Sequence, residues 1–103
     1  MTLPGHTPTP ATCRQLTEAG FLIESPILSQ IIQQLPRNIS DDYGLIYFLT
    51  IVPSPEHRGW SVGYRSANLN YTHQTWTIEV RNDSLLEATS QLWLKLKDEH
   101  ILT

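Results

Sequence analysis

The stretch Gly59-Trp60-Ser61-Val62-Gly63-Tyr64-Arg65 places a large apolar side chain at every second position, with small or polar residues between. That period belongs to a strand with one face on a core, because successive strand side chains point to opposite sides. Trp60, Val62 and Tyr64 form the inward set, and Ser61, Gly63 and Arg65 the outward set. Upstream, Leu45 to Val52 is a nearly continuous apolar run rich in Ile, Val, Tyr and Phe. Its length and β-branching predict a strand covered on both faces. Pro53, Pro55 and Gly59 bracket a hairpin loop between these two strands. Downstream, Ser66 to Asn70 reads as a second turn. Trp76, Ile78 and Val80 then alternate with Thr75, Thr77 and Glu79 as a third strand. Sequential strands joined by short links predict an antiparallel meander.

Helical signals flank the meander. Ser84 and Glu87 have capping-box spacing, with Asp83 adding charge near the helix N-terminus. Leu85, Ala88, Leu92 and Leu96 then share one face, which Leu86 and Trp93 widen. Lys95 and Lys97 sit near the C-terminal end, where cations are favoured. Leu94 falls off this stripe and marks a contact with a tail or a partner. On the N-terminal side, Ser25-Pro26 predicts a helix start, with Ile27, Leu28, Ile31, Ile32 and Leu35 as its apolar stripe and Pro36 as its stop. Arg37 to Gly44 reads as polar turn. A shorter helix precedes it, with Thr12 as N-cap, Gln15 three residues on, and Gly20 at its left-handed end.

Pro4, Gly5, Pro8 and Pro10 make residues 1–11 an extended, Pro-rich N-terminal tail. Residues 12–103 form a single domain of class α+β, in the order ααβββα. The predicted architecture is a three-stranded antiparallel meander packed by a C-terminal helix and N-terminal helices. The last helix is expected on the face carrying Trp60, Val62, Tyr64, Trp76, Ile78 and Val80. Helix 26–35 is expected to cover the opposite face at least in part.

Composition narrows the function classes. The 103 residues are 40% apolar and 17% charged, enough for one core. A net charge of −3, with seven Lys and Arg scattered along the chain, disfavours general nucleic-acid binding, which draws its affinity from cations on phosphates. The single cysteine, Cys13, excludes an internal disulfide. No basic segment followed by an apolar one opens the chain, and no apolar run approaches the length of a membrane span, so the expectation is a cytoplasmic protein without a membrane partner. Cys13 near a helix start reads as a small buried hydrophobe or a nucleophilic thiol.

Catalytic and metal-binding patterns are absent. His6, His57, His73 and His100 do not fall at ligand spacing, and the lone cysteine cannot form a paired-thiolate motif. Asp41-Asp42 suits a turn better than an acid/base pair. The reading therefore has no cofactor, no metal and no catalytic residue. Binding candidates are of another kind. Arg65, Tyr71 and His73 share the outward parity of the meander. Glu56, His57 and Arg58 lie between prolines and Gly59 in a stiffened hairpin loop. Leu94 completes the set.

The Trp-bearing meander at Gly59-Trp60-Ser61-Val62 and the closing helix, Ser84-Leu85-Leu86-Glu87-Ala88 through Leu92-Trp93-Leu94, resemble small bacterial and prophage proteins of unknown function. The nearest named likeness is the phage α-β-α sandwich domain. The resemblance spans residues 45–103 and implies a phage or mobile-element accessory protein, with no catalytic residue to carry over. Two functional expectations follow. The preferred one is a non-enzymatic protein-interaction module that binds a protein partner or a second copy of itself. The alternative is a small-molecule-binding domain or an unrecognised enzyme with a pocket near Tyr71, His73 and Arg65.

Overall fold

The period-two stretch becomes an inner strand of an antiparallel sheet in the computed structural model, which describes residues 7–40, 42–54, 58–66 and 76–101. Among these residues the elements are helices α1 (Pro10–Glu18) and α2 (Leu28–Gln34), strands β1 (Asn38–Ser40), β2 (Ile46–Pro53), β3 (Trp60–Ser66) and β4 (Trp76–Asn82), and helix α3 (Leu85–Asp98). The order is ααββββα, and the four strands lie in sequence order across the sheet. The class is α+β, as the sequence predicts, with four strands instead of three. No helix among the described residues is long and apolar enough to cross a membrane.

The extra strand is β1, which the sequence reading assigns to a turn. Three residues suffice because Ile39 pairs with Tyr47, and Leu49 N–H donates to the Arg37 carbonyl at 2.9 Å. Such a short edge strand gives no periodic signal of its own.

Cross-strand rows define the inner face. Leu49, Tyr64 and Ile78 form one row, and Ile51, Val62 and Val80 the next. Val62 and Tyr64 are fully buried beneath α3, which packs on both β3 and β4. Burying a large apolar side chain contributes roughly 1.5–3 kcal/mol, so these rows and Leu92 and Leu96 of α3 carry much of the core. The Tyr64 hydroxyl stays satisfied inside: it donates to the Pro36 carbonyl at 2.7 Å. Burial raises the Tyr64 pKa well above its ordinary value, because the phenolate would lose its hydration.

One predicted core residue lies elsewhere. Tyr64 pairs with Ile78 while Arg65 pairs with Trp76, so Thr77 is an extra residue and the strand is bulged there. A one-residue insertion reverses the side of what precedes it. Trp76 therefore faces outward with Arg65, away from Ile78 and Val80. The Arg65 guanidinium carbon lies 4.9 Å from the Trp76 ring centroid.

The helices stack on the inner side. Both α1 and α2 pack against α3, and Phe21 meets the Trp93 ring edge-on, with centroids 5.0 Å apart. Helix α2 thus shares the side of α3, contrary to expectation, and among the described residues no element covers the second sheet face. Its first turn also differs. The helix starts at Leu28, with the Gln30 side chain accepting from Ile27 N–H at 2.9 Å, and Pro26 is buried in the core instead of opening the helix. Helix α1 is capped by Thr9, whose hydroxyl accepts from Thr12 N–H, with Pro10 at the first helical position. The Ser84 hydroxyl caps α3 as predicted, accepting from Glu87 N–H at 3.2 Å. The Glu87 carboxylate does not turn back on its own helix. It accepts from Thr9 N–H and from the Thr12 hydroxyl, the latter at 2.7 Å, and so ties the start of α1 to the start of α3.

Candidate functional site

With all three helices on one side, the other sheet face is covered by no described element. Its composition follows from the register. One row runs Asn38, Phe48, Arg65, Trp76, the next Thr50, Gly63, Glu79, and the third Val52, Ser61, Arg81. Ile46 stands opposite Ser40 at the β1 end. The middle strand contributes only Ser61 and Gly63 to the lower rows, so the face is low along β3 and raised on both flanks. Gly63 has no alternative. A Cβ there would collide with the Ile78 carbonyl oxygen and lie 2.9 Å from Glu79 Cα.

The flanks differ in chemistry. On β2, Ile46 is 50% exposed and Phe48 is 45% exposed. Half-buried Val52 continues this apolar strip. On β4 the wall is Trp76, Glu79 and Arg81, and Arg81 Nε lies 3.3 Å from Glu79 Oε2. Arg65 stands at the head of the trough, its guanidinium over Trp76. Its Nε is buried and has no hydrogen-bond partner among the described residues. An arginine whose guanidinium lies over an indole, next to exposed Phe and Ile, has the composition of a protein-contact surface, where aromatic residues and Arg are enriched.

The sheet also ends in an edge that no described strand pairs. Leu49 N–H points to β1, so by antiparallel alternation Phe48, Thr50 and Val52 bond to β3. Their partners Arg65, Gly63 and Ser61 point to β2, and Val62 and Tyr64 point to β4. On β4 this directs Ile78 and Val80 inward and leaves the N–H and C=O of Glu79 and Arg81 at the outer edge. No described strand pairs there.

The predicted site residues do not gather in one place. Arg65 takes its predicted outward position. Arg58 is exposed just before β3. Leu94 is half-buried and packs against the core from α3; it borders a hollow with Gln15, Glu18 and Ala19 of the α1 region. Glu56, His57, Tyr71 and His73 lie outside the described residues. Ile46 and Phe48 are the binding candidates that sequence reasoning missed, since an unbroken apolar run does not tell a covered side from an open one.

A hollow of about 360 Å³ lies on the helix side, lined by Gly20, Phe21, Leu22, Ile23, Gln34, Trp93 and Lys97. Among the described residues its polar side-chain groups come from Gln34, Lys97 and the indole of Trp93, and the Lys97 ammonium sits 5.9 Å from the Trp93 ring centroid. Ligand pockets combine apolar walls with several converging polar groups, which this hollow lacks. No group of His, Cys, Asp or Glu among the described residues could hold a metal ion. Cys13 is half-buried, with its sulfur 3.5 Å from the Pro8 carbonyl. Compared with known proteins, the chain matches no family model, no curated protein and no solved structure.

Proposed function

We propose that this chain is a non-enzymatic protein-interaction module and that its contact surface is the outer face of the sheet. The observation that carries the reading is the one-sidedness of the fold. Three helices stack on the inner face, while Ile46 and Phe48 remain about half exposed on the outer one. Contiguous exposed apolar surface is costly in water and marks contact sites. Arg65 on Trp76 supplies a large anchor of the kind that carries binding energy at protein interfaces. Cofactor chemistry enters nowhere in this reading.

The test is affinity capture from extracts of the cells that express the protein, with wild type and Phe48→Arg compared side by side. Wild type is expected to retain a partner in stoichiometric amount, and Phe48→Arg, matched to wild type in circular dichroism, is expected to lose it. Equal retention by both proteins, or none by wild type, overturns the outer face as the contact surface.

A further inference from the structure

The open edge of β4 has a self-complementary pattern, and we infer that a second copy of this chain pairs with it, strand to strand, about a two-fold axis at Val80. This inference rests on reading the chain as an interaction module, but it uses the sheet edge and not the face. Glu79 and Arg81 are the residues whose backbone N–H and C=O point outward, so they must form the hydrogen-bonded pairs with any added antiparallel strand. Symmetric registers differ in which charges meet. A two-fold at Glu79 sets Glu79 against its copy. A two-fold at Arg81 sets Arg81 against its copy and Glu79 against Asp83. Centred on Val80, the same strands set Glu79 against Arg81 of the copy and Arg81 against Glu79 of the copy. Directly opposed like charges are destabilising and opposite charges stabilising across a ladder, so charge complementarity selects this register.

Two further observations fit the same geometry. On the inner face, half-buried Val80 would meet its own copy, extending the row Ile51, Val62, Val80 across the axis. Helix α3 lies over both β3 and β4. With strands about 4.8 Å apart, a copy across the β4 edge would bring the two α3 helices to about 10 Å, the spacing of packed helices. Arg81 and Glu79 already lie within 3.3 Å of each other in one chain, and the copy would turn that pair into a four-charge alternating cluster. Alternating charges can also guard an edge against pairing, and the experiment decides between the two roles.

The solution mass of the full chain is measured by light scattering over a dilution series. Wild type is expected to form a reversible dimer. Glu79→Arg alone and Arg81→Glu alone are each expected to raise its dissociation constant by about tenfold or more, because every facing pair becomes like-charged. An equimolar mixture of the two variants is expected to dimerise again, since a chain with guanidinium groups at both positions then faces a chain with carboxylates at both. Arg81→Pro removes an outward N–H while leaving the β3 ladder intact, and is expected to give a folded monomer. A wild-type monomer at every concentration, or a dimer indifferent to the single reversals, overturns the inference. Phe48→Arg keeps failures distinct: it removes capture through the face and leaves an edge dimer in place.

Discussion

The two faces of this sheet come from the same strands and the same alternation, yet they solve opposite problems. The inner face is filled by Leu49, Tyr64, Ile78, Ile51, Val62 and Val80, and α3 lies across it. The outer face carries Phe48, Ile46, Val52 and Trp76, side chains as apolar as those inside, with no described element over them. The outer face also carries Arg65, Glu79, Arg81, Thr50 and Ser61, so the faces differ in composition as well as in which of them the helices cover. The largest expected effect lies on the covered side. Leu92→Ala deletes a fully buried α3 side chain and is expected to cost about 3 kcal/mol in chemical denaturation, from lost transfer free energy plus the cavity left behind.

Next in size is the polar link under α3. Tyr64→Phe removes the bond to the Pro36 carbonyl and leaves that acceptor without its partner, at an expected cost of about 1–2 kcal/mol. The same change has a pH signature. The unfolded phenol ionises near pH 10, while burial holds the folded one protonated to higher pH. Above pH ~10 the unfolded chain therefore binds fewer protons than the native one, and stability falls with rising pH by about 1.4 kcal/mol per unit. Below that pH the contribution of Tyr64 is fully present. Denaturation midpoints between pH 8 and pH 11, as rough bounds about the tyrosine range, are expected to show this alkaline decline in wild type and less of it in Tyr64→Phe.

The smallest effect belongs to the open face. Phe48→Ser is expected to change stability by about 0.5 kcal/mol, as exposed substitutions do, while changing any binding through that face. A loss as large as that of Leu92→Ala would break the comparison, because it would mean that Phe48 is part of a core.

Much of the inner side was legible beforehand. The alternation at Trp60, Val62 and Tyr64 and the cap at Ser84 depend on local geometry alone. Other features depend on partners distant in sequence. The bulge at Thr77 is visible only once Tyr64 and Arg65 have partners, so Trp76 reads as inward from its own strand. Asn38-Ile39-Ser40 is a strand only because Ile46–Phe48 lies beside it. Thr9-Pro10 does follow the cap-then-proline rule, but neighbouring Pro4 and Pro8 obscure the signal. For the candidate site, Arg65 could be assigned outward from parity. The exposure of Phe48 could not, since it depends on α2 choosing the company of α3 over the free face.

The tie from Glu87 to Thr9 and Thr12 bears on the order in which the molecule assembles. Its two ends are 75 and 78 residues apart in the chain, whereas the strands join their neighbours through hairpins. Closing so long a loop costs more conformational entropy than closing a hairpin, although the cost grows only with the logarithm of length. The carboxylate is in place as a docking point only once the capped first turn of α3 has formed, because that turn sets where Glu87 stands. Helix α1 is thus placed to join last and to leave first, as a unit whose opening leaves the sheet and its hairpins standing.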